Sequence, residues 1–159
     1  MIKKRTTAAA AILLIAFQSC KPEPYGKIGD DYSLTEGITG TWELQTVLQT
    51  DETQPVPEVI DISDFFVSDP MVMSFDYVSS SYTVDNPGAG GNIFGNSGSF
   101  AYDNLEFPSG VSVYTDLGDT LMMSLTQMVR SIDTRMGFRV SRQRCDELNI
   151  SYDYDFNRQ

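Results

Sequence analysis

From Gly40 to the end of the chain, apolar residues recur at every second position in short runs broken by turn residues, a period that restricts the fold to antiparallel β-structure. Trp42, Leu44, Thr46 and Leu48 alternate with Glu43, Gln45 and Gln49. The rhythm returns at Met71, Met73 and Phe75, at Tyr82 and Val84, at Phe100 and Tyr102, and at Val111 and Val113. It continues through Leu121, Met123 and Leu125, then Phe138 and Val140, and finally Ile150, Tyr152, Tyr154 and Phe156. Ser79-Ser80, the Gly-rich stretch 87–98, Pro108-Ser109-Gly110, Asp116-Leu117-Gly118-Asp119 and Asp146-Glu147-Leu148-Asn149 supply the turns between them. The segment Val59 to Asp69 departs from this pattern: Val59, Ile62 and Phe66 fall at helical spacing, so a short helix is expected there with Asp61 or Ser63 as its N-cap. The reading is all-β: an antiparallel meander of about eight strands, with one short helix after the first, closing into a barrel or half-barrel to remove exposed edges.

The N-terminus speaks to location. Lys3-Lys4-Arg5 precede ten apolar residues from Ala8 to Phe17, half the roughly 20 that a membrane-spanning helix needs. This is the grammar of a secretory signal. With Ser19 and Cys20 behind it, the segment resembles a lipobox, although Phe17 and Gln18 stand where Leu and a small residue are preferred. The resemblance implies a bacterial lipoprotein of Gram-negative type. Residues 1–19 would be removed, and Cys20 would be acylated on its thiol and new amine. At about 0.8 kcal/mol per buried methylene, acylation at Cys20 provides a stable membrane anchor. The expected address is the outer membrane, at its periplasmic face or the cell surface. Residues 20–36, with Pro22, Pro24, Gly26, Gly29 and several acids, read as a lipidated tether, and 37–159 as the folded domain.

Charge and residue inventory exclude several functions. The chain holds 11 basic and 22 acidic residues, for a net charge of −11, and loss of the leader removes three of the basic ones. No Lys or Arg stands between Ile28 and Val129. Nucleic acid is therefore not an expected partner, since phosphate neutralisation needs a basic footprint. The chain has no His, which removes Ser-His-Asp and Cys-His catalysis and His metal sites. No enzyme activity, cofactor or metal is expected. The Gly-rich stretch lacks a following Lys-Ser/Thr, and Asp153, Asp155 and Asn157 lie on a strand without the Gly and distal Glu of a calcium loop. With Cys20 acylated, Cys145 has no partner for a disulfide. Asp119-Thr120-Leu121 resembles the short acceptor motif for bacterial O-glycosylation, which would place a glycan on Thr120.

Gly40-Thr41-Trp42 at the first strand, a longer connection, and then a meander resemble the lipocalin-type (calycin) pattern. More closely, Gly37 to Leu44, Ile60 to Phe66, Met128 to Phe138 and Arg142 to Cys145 are similar to an uncharacterised family of lipocalin-like bacterial lipoproteins. The resemblance implies that Gly40 and Trp42 start the barrel and that an Arg near the last strand covers the Trp ring. Pairing Phe138 with Phe156 and Val140 with Tyr154 would set Arg142 beside Tyr152 and Arg144 beside Ile150 on the inward face, with Arg139 opposite Asp155 outside. One of these Arg would cover Trp42. The sharper alternative is an anion-recognising floor in a calyx lined by Tyr82, Tyr102, Tyr114 and Met side chains. Two functions are expected from different classes: a binding module for a small amphiphilic or glycan-type ligand, or an accessory envelope lipoprotein whose filled barrel meets a protein partner.

Overall fold

The computed structural model describes residues 33–66, 69–86, 93–144 and 147–159. Nine antiparallel strands are present: β1 (Gly40–Asp51), β2 (Glu58–Asp61), β3 (Val72–Asp76), β4 (Ser81–Asp85), β5 (Ser97–Tyr102), β6 (Gly110–Thr115), β7 (Thr120–Leu125), β8 (Arg135–Arg144) and β9 (Glu147–Arg158). Strands β1 and β3 to β9 pair each with the next, and β1 pairs with β9, so eight strands form a closed barrel. All eight coincide with runs of period two in the sequence. The ninth, β2, pairs with the second half of β1, from Leu48–Asp61 to Asp51–Glu58.

That extra strand corrects one expectation. Where the spacing of Val59, Ile62 and Phe66 predicted a helix, the chain forms β2 and then a single 3-10 turn, Ser63–Phe65. The reason is local competition for hydrogen bonds. The Ile62 N–H bonds the Val47 carbonyl at 2.9 Å, and the Ser63 hydroxyl accepts the Val47 N–H at 3.0 Å, so the segment satisfies β1 instead of itself. Asp61 accepts both the N–H and the hydroxyl of Ser63, which holds the turn. β-branched Val59, Ile60 and Ile62 also favour this outcome.

The interior is filled by the alternating residues. Trp42, Met73, Phe75, Tyr82, Phe100, Val113, Met123, Phe138 and Phe156 are all buried. Phe75 lies at the centre of an aromatic cluster, 5.4 Å from Phe100 and 5.9 Å from Tyr82 between ring centroids. Strand β1 departs from strict alternation. A bulge between Leu44 and Thr46 shifts its register with β9, so that Val47 is fully buried while Thr46 and Leu48 are only half-buried. The expected inward set of Thr46 and Leu48 is thus replaced by Val47, because the extra residue coils the strand around the barrel.

One end of the barrel is sealed. The 3-10 turn Glu36–Ile38 crosses it, with Ile38 and Val129 buried beneath. Gly37 packs so closely on the Val129 carbonyl that a Cβ there would collide with it. The Trp42 indole N–H donates to the Ile38 carbonyl at 2.7 Å. Gly40 has φ of +136°, a conformation open to glycine and strained for any other residue, which explains the first residue of Gly-x-Trp.

Candidate functional site at the barrel mouth

The opposite end of the barrel, toward which the C-terminal half of β1 runs, is open. Here the pairing of β8 with β9 decides which side chains face the rim. The observed partners are Phe138–Tyr154, Val140–Tyr152, Arg142–Ile150 and Arg139–Asp153. This is a two-residue shift from the expected hairpin. An even shift leaves every side chain on its expected face, so Phe138, Val140, Tyr154 and Phe156 are still inward, but it moves Arg142 outward along the axis. A bulge between Arg142 and Gln143 shifts the register again before Arg144 meets Glu147. Arg139 forms a two-pronged ion pair with Asp153 on the outer surface, both bonds 2.6 Å.

A cleft of about 250 Å³ opens at this rim. Its apolar wall comes from Ile62, Phe65 and Phe66 around the 3-10 turn, with Ile93 and Val140. Its polar groups are Gln49 on β1, Arg142 on β8, and Tyr152 and Tyr154 on β9. Arg142 is exposed; among the described residues it is the cleft's sole basic group and has no hydrogen-bond or ion-pair partner. Burial pushes the Tyr154 phenol up to about 12, with Tyr152 acting in the same sense and the Arg142 charge opposing it. Burial, with Tyr152, outweighs Arg142 and leaves Tyr154 neutral, a hydrogen-bond donor at physiological pH. An exposed guanidinium and a neutral phenol against an aromatic wall suit a ligand with one anionic group and an apolar body. A cavity of ~150 Å³ holds benzene, so this one accommodates a ligand of on the order of ten heavy atoms.

The other expected site residues lie elsewhere. Tyr82 is buried inside the barrel and donates its hydroxyl to the Phe94 carbonyl at 2.6 Å; burial raises its phenol to about 12. Tyr102 is at the sealed end, where its hydroxyl donates to the Thr35 carbonyl at 2.8 Å. Tyr114 is 47% exposed on the outer face of β6, which removes it from the calyx. The Trp42 ring is covered by Arg158, whose guanidinium carbon sits 4.4 Å from the ring centroid, and not by Arg142. Trp42 pairs directly with Arg158 across β1 and β9, whereas Arg142 belongs to the opposite rim. Thr120 is exposed at the β6–β7 turn. Cys20, Cys145 and the side chain of Arg144 lie outside the described residues.

The structure therefore brings together Arg142 and Tyr152 and separates both from Tyr82 and Tyr102. Cleft residues that the sequence did not single out as part of a site are Gln49, Ile62, Phe65, Phe66 and Ile93. One signal did mark two of them: Ile62 and Phe66 belong to the apolar spacing that suggested a helix, and that spacing reports a shared apolar face whatever the backbone does. Among the described residues, no cluster of three or more acidic, Cys or His side chains is placed to hold a metal ion. No protein-family model matches the chain. A search of curated proteins likewise finds no significant match.

Proposed function

We propose that the protein is a membrane-anchored lipoprotein whose barrel carries a binding site for a small anionic amphiphile at its mouth. The observation that carries this reading is Arg142: an exposed guanidinium, with no ion-pair partner among the described residues, at the edge of a cleft whose other wall is Phe65, Phe66, Ile62 and Ile93. Because the interior is already occupied by aromatic and Met side chains, the ligand is confined to the rim. Its carboxylate or acidic sugar group lies on Arg142, Tyr152 and Gln49, and its apolar portion lies on the Phe side chains. Lys3-Lys4-Arg5, the apolar stretch and Cys20 support the anchor, and with it an outer-membrane location in a Gram-negative envelope.

The filled interior also favours the second reading, an accessory lipoprotein acting through its outer surface. Octanoate titrated into the full mature protein separates the two. The expected result is saturable binding that weakens about tenfold or more in Arg142→Ala, the loss that goes with removing a charged hydrogen-bond donor. Octanol, which has the same tail without the charge, is expected to bind more weakly to the wild type and to be indifferent to the substitution. Equal octanoate binding by wild type and Arg142→Ala would remove the anion site. No binding by either would favour the outer-surface reading.

A further inference from the structure

The sealed end of the barrel carries apolar side chains on every one of its loops. Three chain reversals lie at that end, β3–β4, β5–β6 and β7–β8, and each displays large apolar side chains to water. Val78 is 93% exposed, Leu105 69%, Phe107 60% and Ile132 58%. Turn tips ordinarily carry Gly, Asn, Asp, Ser or Pro, so four apolar tips on adjacent loops call for an explanation.

These tips are held in place by the polar residues around them. Asp76 accepts the Val78 N–H at 3.0 Å and the Ser79 hydroxyl at 2.6 Å, fixing the β3–β4 turn. In the β5–β6 loop, Asn104 accepts the N–H groups of Glu106 and Phe107, while Asp103 accepts the N–H and hydroxyl of Ser109. In the β7–β8 loop, Asp133 accepts from the backbone and guanidinium of Arg130 on either side of Ile132. The polar side chains are turned into the loops and the apolar ones outward. Val78 and Leu105 line one continuous groove with Tyr77 and Tyr102.

The chain itself indicates what covers this surface. Polypeptide leading from Cys20 enters the barrel at this end, where Tyr102 holds Thr35 and the turn Glu36–Ile38 crosses the bottom. Twelve residues separate Cys20 from Ser33, a reach of at most about 45 Å over the thirteen steps even at full extension. A lipid anchor at Cys20 therefore keeps the sealed end close to the bilayer and raises the local concentration of one surface against the other. We propose that the sealed end rests on that bilayer, with Val78, Leu105, Phe107 and Ile132 entering the headgroup region and the Arg142 cleft turned toward the aqueous side. This orientation rests on the lipid-anchor reading of Cys20.

The test uses the full mature protein in vesicles of phosphatidylethanolamine and phosphatidylglycerol. An environment-sensitive fluorophore is attached at Val78→Cys, Leu105→Cys or Leu117→Cys, each combined with Cys145→Ser; all three labelled positions are exposed, so folding is retained and is checked by circular dichroism. Leu117, in the β6–β7 turn at the mouth end, is the reference. The expected result is a blue shift at 78 and 105, loss of their signal to lipid-borne nitroxides and protection from a water-soluble quencher, with the reverse at 117. Labels at 78 and 105 that behave as 117 does would overturn the proposal, and so would labels shielded from both quenchers, which would indicate a protein surface. The intact mass of the mature chain separates the two failures. Acyl chains present with water-exposed labels would sink the docking alone, whereas a chain without acyl mass would sink the anchor and the orientation together.

Discussion

At the residue scale, most of the specificity of the sealed end is concentrated in Gly40, Trp42 and Arg158. The Arg158 guanidinium lies over the indole and donates to the Gly37 carbonyl at 2.6 Å, tying the last strand to the N-terminal turn. Its Nε is buried with no hydrogen-bond partner among the described residues, and the cation–π contact with the ring offsets part of the cost of burying the charge. Arg158→Ala is expected to cost about 2–4 kcal/mol, from the cation–π contact and the charged hydrogen bond together, read from the urea midpoint at constant slope. Arg158→Lys keeps the charge but loses the planar fork, and is expected to recover less than half of that loss. Gly40→Ala forces an L-residue to φ of +136° and is expected to cost about 1–3 kcal/mol; a smaller change would mean that the strand end relaxes.

At the element scale, two bulges and one loop determine which side chains point where. The bulge at Gln45 reverses the phase of β1, so inserting one Ala between Gln45 and Thr46 would drive Val47 to the outer face and Thr46 inward. The expected outcome is loss of cooperative unfolding or a drop of several kcal/mol, since a fully buried Val is exchanged for a polar residue. An insertion variant with wild-type stability would show that the bulge absorbs the added residue. The β5–β6 loop carries its own pH signature. Hydrogen bonds from Ser109, the hydroxyl first, lower the Asp103 carboxyl from 3.8 to about 2. Its folded-state pKa is below its unfolded one, so its contribution is complete above about pH 4 and is lost as pH falls toward 2. Thermal melts at pH 7, 4 and 2.5 should therefore show a shallower acid loss in Asp103→Asn than in wild type. The Arg139–Asp153 pair, with the Arg half exposed, is expected to contribute only about 0.2–1 kcal/mol and to weaken in high salt.

At the scale of the whole molecule, closure is the decisive event. The β1–β9 ladder joins Trp42 to Arg158, more than a hundred residues apart in sequence, and its loop entropy must be overcome before the contacts form. Folding is expected on a scale of roughly milliseconds to seconds, with Trp42 fluorescence reporting the slowest phase. Complete Trp42 burial in microseconds would contradict that order. Truncation before Phe156 removes the partners of Leu44 and Trp42 and is expected to leave the barrel unclosed, visible as a broad, uncooperative melt.

The sequence alone determined the eight barrel strands and their inward faces on seven of them, but not that Arg158 is the cation over Trp42. Period-two patterning is a local property and survives any register shift by an even number of residues. It did not determine the register of β8 with β9, the bulge in β1, or β2, because each depends on which distant backbone groups compete for the same hydrogen bonds. The candidate site follows the same division. Arg142 and Tyr152 were legible as neighbours on adjoining strands, but the separation of Tyr82, Tyr102 and Tyr114 from them was not. Three tyrosines of similar chemistry occupy the core, the sealed end and the outer wall, and only closure of the barrel decided which environment each one received.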